Sequence, residues 1–172
     1  MKNTNILLVG LVNSGKTTIA KHLCKNGFFE HFSIDNFREK YSDGSYAGEY
    51  RSWYRFLRIA EHPPYPKNVF EFSGVGTNKE AFADTMKSSN QKWITVYCIA
   101  SEETLDNRRD IYDKKLKSIE TPYGDSHFDD ITRAEILSLY ESNYYKTPSI
   151  LIETDSKPIS DTIKEILESV NQ

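Results

Sequence analysis

Gly10-Leu11-Val12-Asn13-Ser14-Gly15-Lys16-Thr17-Thr18 follows directly on the apolar run Ile6-Leu7-Leu8-Val9 and directly precedes a helical stretch. A short, wholly apolar run ended by glycine suits a strand buried on both faces. The nine residues after it match GxxxxGK[ST]. In that pattern glycines let the backbone curl until successive N–H groups point inward at anionic oxygens, and the helix that follows presents its positive end. Lys16 then reaches β and γ phosphates and the Thr17 hydroxyl ligates Mg²⁺. A chance glycine-rich turn would not bring strand, spacing and helix together. Gly10, Asn13, Ser14, Gly15, Lys16, Thr17 and Thr18 are therefore the candidate residues for ATP, with Thr17 as the metal ligand.

Outward from this loop, strand-like runs recur at Phe32-Ser33-Ile34, Asn68 to Phe72, Trp93 to Ala100 and Ser149 to Ile152. Helical patterns separate them. The clearest is Ile159, Ile163, Ile166, Leu167 and Val170 after Pro158, an amphipathic last helix. Thr77 with Glu80 reads as a capping box opening a helix toward Lys87, and Ser101 before Glu102-Glu103 as an N-cap. Alternating strands and helices imply a five-stranded parallel sheet with right-handed crossovers, covered by helices on both faces: an α/β/α sandwich. Ligands bind such a sheet at the carboxyl ends of its strands. Residues 36–66 and 109–130 resist the pattern. The first holds the basic, aromatic helix Tyr50 to Arg58. The second is polar, with a turn at Thr121-Pro122-Tyr123-Gly124 and lysines at 114, 115 and 117. Insertions of such length in a small domain commonly serve as lids or substrate clamps.

The 172 residues amount to one domain on a prior of roughly 150 residues each, and 38% hydrophobic with 27% charged residues describes a folding chain. A formal charge of −3, from 22 basic and 25 acidic side chains, leaves no overall basic surface for nucleic acid. No apolar stretch is long enough for a membrane span, and Met1-Lys2-Asn3-Thr4 opens no secretory leader. The expectation is a cytoplasmic protein with no membrane or obligate protein partner. Cys24 and Cys98 form no disulfide framework, and the scattered His22, His31, His62 and His127 offer no paired metal spacing.

With the phosphate loop in this context, the chain resembles the P-loop kinases of the nucleoside, nucleotide and polynucleotide kinase group over most of its length. The NKxD and DxxG sequences of Ras-type GTPases are absent. Asp35 follows the second strand in Ser33-Ile34-Asp35-Asn36-Phe37-Arg38, where a carboxylate faces the loop's crevice and takes a proton from an attacking hydroxyl; its other reading is the N-cap of a short helix. Arg38 lies one turn on, placed to grip an anionic acceptor. The DxxR arrangement resembles that of polynucleotide 5′-kinases, which implies hydroxyl activation by Asp35 and an acceptor phosphate on Arg38. Asn68 to Gly76 ends a strand in Gly74 and Gly76, and the resemblance implies that the acceptor borders Gly74. Glu71 faces the nucleotide crevice or pairs with a neighbouring charge. No apolar run ends in Asp as a Walker B strand would.

Similarity to the polynucleotide kinases runs through Glu103-Thr104-Leu105-Asp106-Asn107-Arg108, just before the polar segment, where the resemblance implies that a lid begins. Arg108, or Arg109 beside it, would cover the transferring phosphoryl group as an arginine finger does. The other reading is a solvated helix face paired with Glu102, Asp106 or Asp110. The loop Glu153 to Pro158 would pack beside adenine. The implied activity is ATP- and Mg²⁺-dependent transfer to a hydroxyl of a nucleoside, nucleotide or nucleic acid, a DNA 5′-end or a modified base included. Arginines interleaved with Trp53, Tyr54 and Phe56 would hold phosphates and stack bases. The alternatives are a kinase of a small metabolite and a nucleotide-binding module without turnover.

Overall fold

Ile6, Leu7, Leu8 and Val9 are each fully buried, which requires cover on both faces of their strand. The computed structural model describes residues 3–108 and 132–171, and in it this strand, β1 (Thr4–Gly10), is the centre of a sheet. The others are β2 (Glu30–Ser33), β3 (Lys67–Glu71), β4 (Lys92–Ile99) and β5 (Ser149–Glu153). Their order is β2-β3-β1-β4-β5, and every neighbouring pair is parallel. The five expected strands are thus all present, and the fold is the expected α/β sandwich.

Side-chain alternation divides the core. Ile6 and Leu8 of β1, with Ile94, Val96 and Cys98 of β4, point to α1 (Lys16–Gly27) and α7 (Ile159–Val170). Leu7 and Val9, with Trp93, Tyr97 and Ile99, point to the opposite layer. That layer holds α3 (Tyr46–Glu61), α4 (Lys79–Ser88) and α6 (Arg133–Glu141), while α2 (Ile34–Tyr41) precedes α3 and the helical residues 102–108 form α5. The period of two along the strands and the apolar stripes of the helices meet in two clusters, one on each face.

The chain leaves β1 through α1 toward the edge strand β2, and it leaves β3 in the other direction, across β1, toward β4. Connections that diverge from two adjacent strands open a crevice between them at their carboxyl ends. The phosphate loop and the β3 exit are therefore side by side.

Several local readings change. Residues 36–66 contain two helices, and α3 is a core helix: Trp53 and Phe56 are buried among Phe70, Phe72 and Phe82, leaving Tyr50 and Tyr54 outward at 71% and 55% exposure. The rings at 53 and 56 are thus not a base-stacking surface, because a helix against a sheet must bury one face. The N-cap of α4 is Asn78, with no side-chain cap bond, so Thr77 and Glu80 form no capping box. A full capping box opens α6 instead, between Thr132 and Glu135. Ser101 does cap α5, its Oγ accepting from Thr104 N at 3.3 Å. The expected lid at 109–130, with Arg109, lies outside the described residues. Among the described residues, no helix is long and apolar enough to cross a membrane.

Phe56 joins α3 to the sheet, and complete truncation of a buried ring costs about 3–5 kcal/mol. Phe56→Ala should lower the free energy of unfolding by that amount in a denaturant titration; a loss under about 1 kcal/mol would mean that α3 docks by other means.

Candidate active site

The loop after β1 takes its shape from two left-handed residues, Asn13 at φ 64° and Gly15 at φ 88°. Left-handed backbone is costly for side chains with a branched or bulky Cβ and cheap for glycine and asparagine, so these two residue types suit the turn that leads into α1. Ser14 is fully buried beneath the loop, and Lys16 donates from Nζ to the carbonyl oxygens of Gly10 at 2.8 Å and Leu11 at 2.7 Å. Its ammonium is held inside the curl of the loop. Asn13, Gly15, Lys16, Thr17 and Thr18 line a cleft of about 850 Å³; Gly10 and Ser14 support the loop from below.

Thr17, in the first turn of α1, donates its hydroxyl to Glu71 Oε1 at 2.6 Å. The second carboxylate oxygen, Oε2, lies 2.7 Å from His31 Nε2. Glu71 is the last residue of β3 and is 5% exposed. Burial opposes its charge, yet the hydrogen bond to His31, the Lys16 ammonium and the Thr17 hydroxyl outweigh it and hold the carboxyl below its ordinary range. Glu71 thus ends the strand that pairs with the phosphate-loop strand, with its carboxylate on the Thr17 hydroxyl. Sequence reading left it unplaced because the clue lies in sheet order: only when β3 is known to flank β1 does the end of β3 fall beside Thr17.

On the far side of the cleft, Asp35 is in the first turn of α2. The cap of that helix is Ser33, whose Oγ accepts from Asp35 N at 3.3 Å, so the reading of Asp35 as N-cap is set aside. Its carboxylate lines the cleft and accepts from Arg38 Nη1 at 3.3 Å. Arg38 is only 6% exposed. It donates from Nε to Glu49 Oε2 at 3.0 Å and from Nη2 to Glu49 Oε1 at 2.5 Å, a fork-to-carboxylate pair. Trp53 Nε1 donates to the same Oε1 at 2.9 Å. Burial would lower the guanidinium's affinity for its proton, but the bonds and charges of Glu49 and Asp35 raise it. An anionic acceptor at Arg38 would share it with two carboxylates. Sequence alone does not point to Glu49, and it reads Trp53 as a base-stacking ring rather than as a donor to Glu49; both enter here because α3 turns back along α2, a tertiary fact.

Arg108 reaches from α5 to the phosphate loop, donating Nη1 to Asn13 O at 2.9 Å, with Thr154 Oγ1 at 3.5 Å. Thr154, after β5, and Ile159 and Thr162 of α7 close that end of the cleft. Gly74 departs from expectation. A Cβ there would lie 2.2 Å from Val9 Cγ1, and its φ is 81°, so packing against β1 and the turn itself require glycine. Its carbonyl accepts from the Tyr145 hydroxyl at 2.7 Å. Ser73 and Val75, on either side, line the cleft instead.

No protein-family model and no curated protein match this chain, whereas solved structures match it along its length. The APS kinase of Mycobacterium tuberculosis, in complex with AMPPNP and APS, aligns with a TM-score of 0.62 at 15% identity, covering 99% of each chain. The shikimate kinase of Acinetobacter baumannii, in complex with shikimate, aligns with a TM-score of 0.65 at 18% identity, over 98% of this chain and 93% of that one. The deoxyadenosine kinase of M. mycoides gives 0.57 at 16%, over 97% and 98%. At these identities the likeness is one of fold. The architecture that carries the cleft is that of the P-loop kinases.

Proposed function

We propose that this protein is an ATP- and Mg²⁺-dependent phosphotransferase that moves the γ-phosphate of ATP to a hydroxyl of a nucleoside, nucleotide or nucleic acid. The observation that carries the reading is that one cleft holds both the phosphate loop, at the end of β1, and the Asp35 carboxylate, just beyond β2. The donor chemistry fits the metal. The Thr17 hydroxyl is a hard oxygen donor whose hydrogen is taken by Glu71, and Mg²⁺ is usually held by one or two protein oxygens together with phosphates and water. Bound Mg²⁺ would neutralise charge on the β and γ oxygens of ATP.

The residues then divide the work. Lys16 and the loop amides hold the phosphates, and Arg108, anchored on Asn13 O, adds positive charge at the rim of the loop. Asp35 orients the acceptor hydroxyl and takes its proton as that oxygen bonds to phosphorus and ADP leaves. Arg38 keeps the Asp35 carboxylate directed by its 3.3 Å contact. Phosphoryl transfer has a loose transition state, so positioning and charge carry most of the catalysis. Tyr50 and Tyr54, exposed and stacked with centroids 6.3 Å apart, offer a base-bearing acceptor an aromatic surface on the outer face of α3. One observation favours a second reading, a small acceptor without phosphate: Arg38 already has Glu49 and Asp35 as partners.

Asp35→Asn keeps the size of the side chain and an acceptor for Arg38 while removing the base. Melting temperature and ATP affinity should be retained while transfer of labelled phosphate falls by roughly 10²- to 10⁴-fold. Unchanged specific activity would remove Asp35 from the chemistry.

Arg38→Ala separates the acceptor classes. For an acceptor bearing a phosphate, its KM should rise strongly in the variant, and added salt should weaken acceptor binding more in the wild type than in the variant. Equal salt slopes and an unaltered acceptor KM would favour the small, phosphate-free acceptor.

A further inference from the structure

Glu71 is held from two sides, by Thr17 of α1 and by His31 of β2. His31 and Ser33 alternate to the same face of β2, and the register of β2 on β3 pairs His31 with Val69 and Ser33 with Glu71. His31 therefore lies two register positions below Glu71, on the face that carries α1. Its Nε2 is 2.7 Å from Oε2, while Thr17 Oγ1 is 2.6 Å from Oε1. The chain His31–Glu71–Thr17 spans β2, β3 and α1 and ends at a residue that lines the cleft.

We propose that His31 is a positioning residue for the metal end of the phosphate loop: it donates Nε2–H to Glu71 Oε2 and so fixes the carboxylate with Oε1 on the Thr17 hydroxyl hydrogen, turning that hydroxyl's lone pairs toward the cation. The proposal rests on the reading of the cleft as an ATP and Mg²⁺ site.

Three observations support it. A carboxylate free to rotate could meet Thr17 with either oxygen or neither; with Oε2 committed to His31, one orientation remains. The Thr17 hydroxyl has a single hydrogen, and once that is given to Glu71 only acceptor lone pairs face outward. The imidazole is also partly covered, with 16% side-chain exposure against 7% for Glu71, so water competes poorly for the bond. Partners one step removed from a metal ligand orient it, and their loss typically costs 10- to 100-fold in metal affinity or activity.

Two measurements on the full chain test this. Calorimetric titration with ATP, once with Mg²⁺ and once with EDTA, gives the factor by which the metal strengthens binding. In His31→Leu that factor should fall about tenfold, with ATP affinity in EDTA unchanged, and His31→Gln, which keeps a donor, should stay within about threefold of the wild type. A factor unchanged in His31→Leu, or an equal loss with and without Mg²⁺, would overturn the proposal, the second outcome marking a structural role only. The second measurement needs no variant. Nitrogen NMR of the wild-type imidazole should find Nε2 protonated, and an Nε2 without hydrogen would overturn the proposal even if His31→Leu does not fold. Wild-type protein that binds no ATP at all would reject the nucleotide reading and this proposal with it, whereas wild-type binding with an indifferent His31→Leu rejects the proposal alone.

Discussion

The hydrogen bond from Thr17 to Glu71 ties the first turn of α1 to the end of β3, and most of the cleft depends on the geometry that allows it. For these two side chains to meet, β3 must lie directly beside β1, although α3 and the β2 strand intervene in sequence. The β2-β3-β1-β4-β5 order supplies that adjacency and at the same time sends the β1 and β3 connections in opposite directions. One topological feature thus opens the crevice, aims the phosphate loop into it and brings a carboxylate to the loop's hydroxyl. The ionised Glu71 is tolerated in a buried place because His31, Thr17 and the Lys16 charge replace the water it gives up.

The Asp35 side of the cleft is built on a second buried charge network, and its support comes from the aromatic core. Phe56 and Trp53 fix α3 against β3, and Trp53 contributes both its ring to the core and its Nε1–H to Glu49. Glu49 in turn holds Arg38, which borders Asp35. Stability and site geometry are therefore coupled through one helix. A change that loosens α3 would alter the direction of the Arg38 guanidinium, and through it the Asp35 carboxylate.

The sequence made the phosphate loop legible because GxxxxGK[ST] is a local pattern whose strand and helix lie immediately on either side. Apolar runs likewise marked all five strands, and the spacing of Ile159, Ile163, Ile166 and Val170 marked the last helix. What escaped depended on neighbours distant in the chain. Glu71 and His31 are 40 residues apart and meet only through the pairing of β2 with β3. Arg38 and Glu49 meet because α2 and α3 fold back on each other, which composition does not encode. In α3 the aromatic residues were visible but their sides were not: Trp53 and Phe56 face inward and Tyr50 and Tyr54 outward. Gly74 reads in sequence as room for a substrate, and what the fold adds is its close packing against Val9 of the neighbouring strand.

If the cleft transfers phosphate with Thr17 and Glu71 aligned as a unit, Glu71→Gln should disable it. The amide keeps the shape of the side chain but removes the charge that orients the Thr17 hydroxyl. In a single-turnover assay with labelled ATP, Mg²⁺ and the acceptor that the wild type phosphorylates best, transfer should fall about 10- to 100-fold with an unchanged circular dichroism spectrum. Transfer at the wild-type rate in folded Glu71→Gln protein would contradict it.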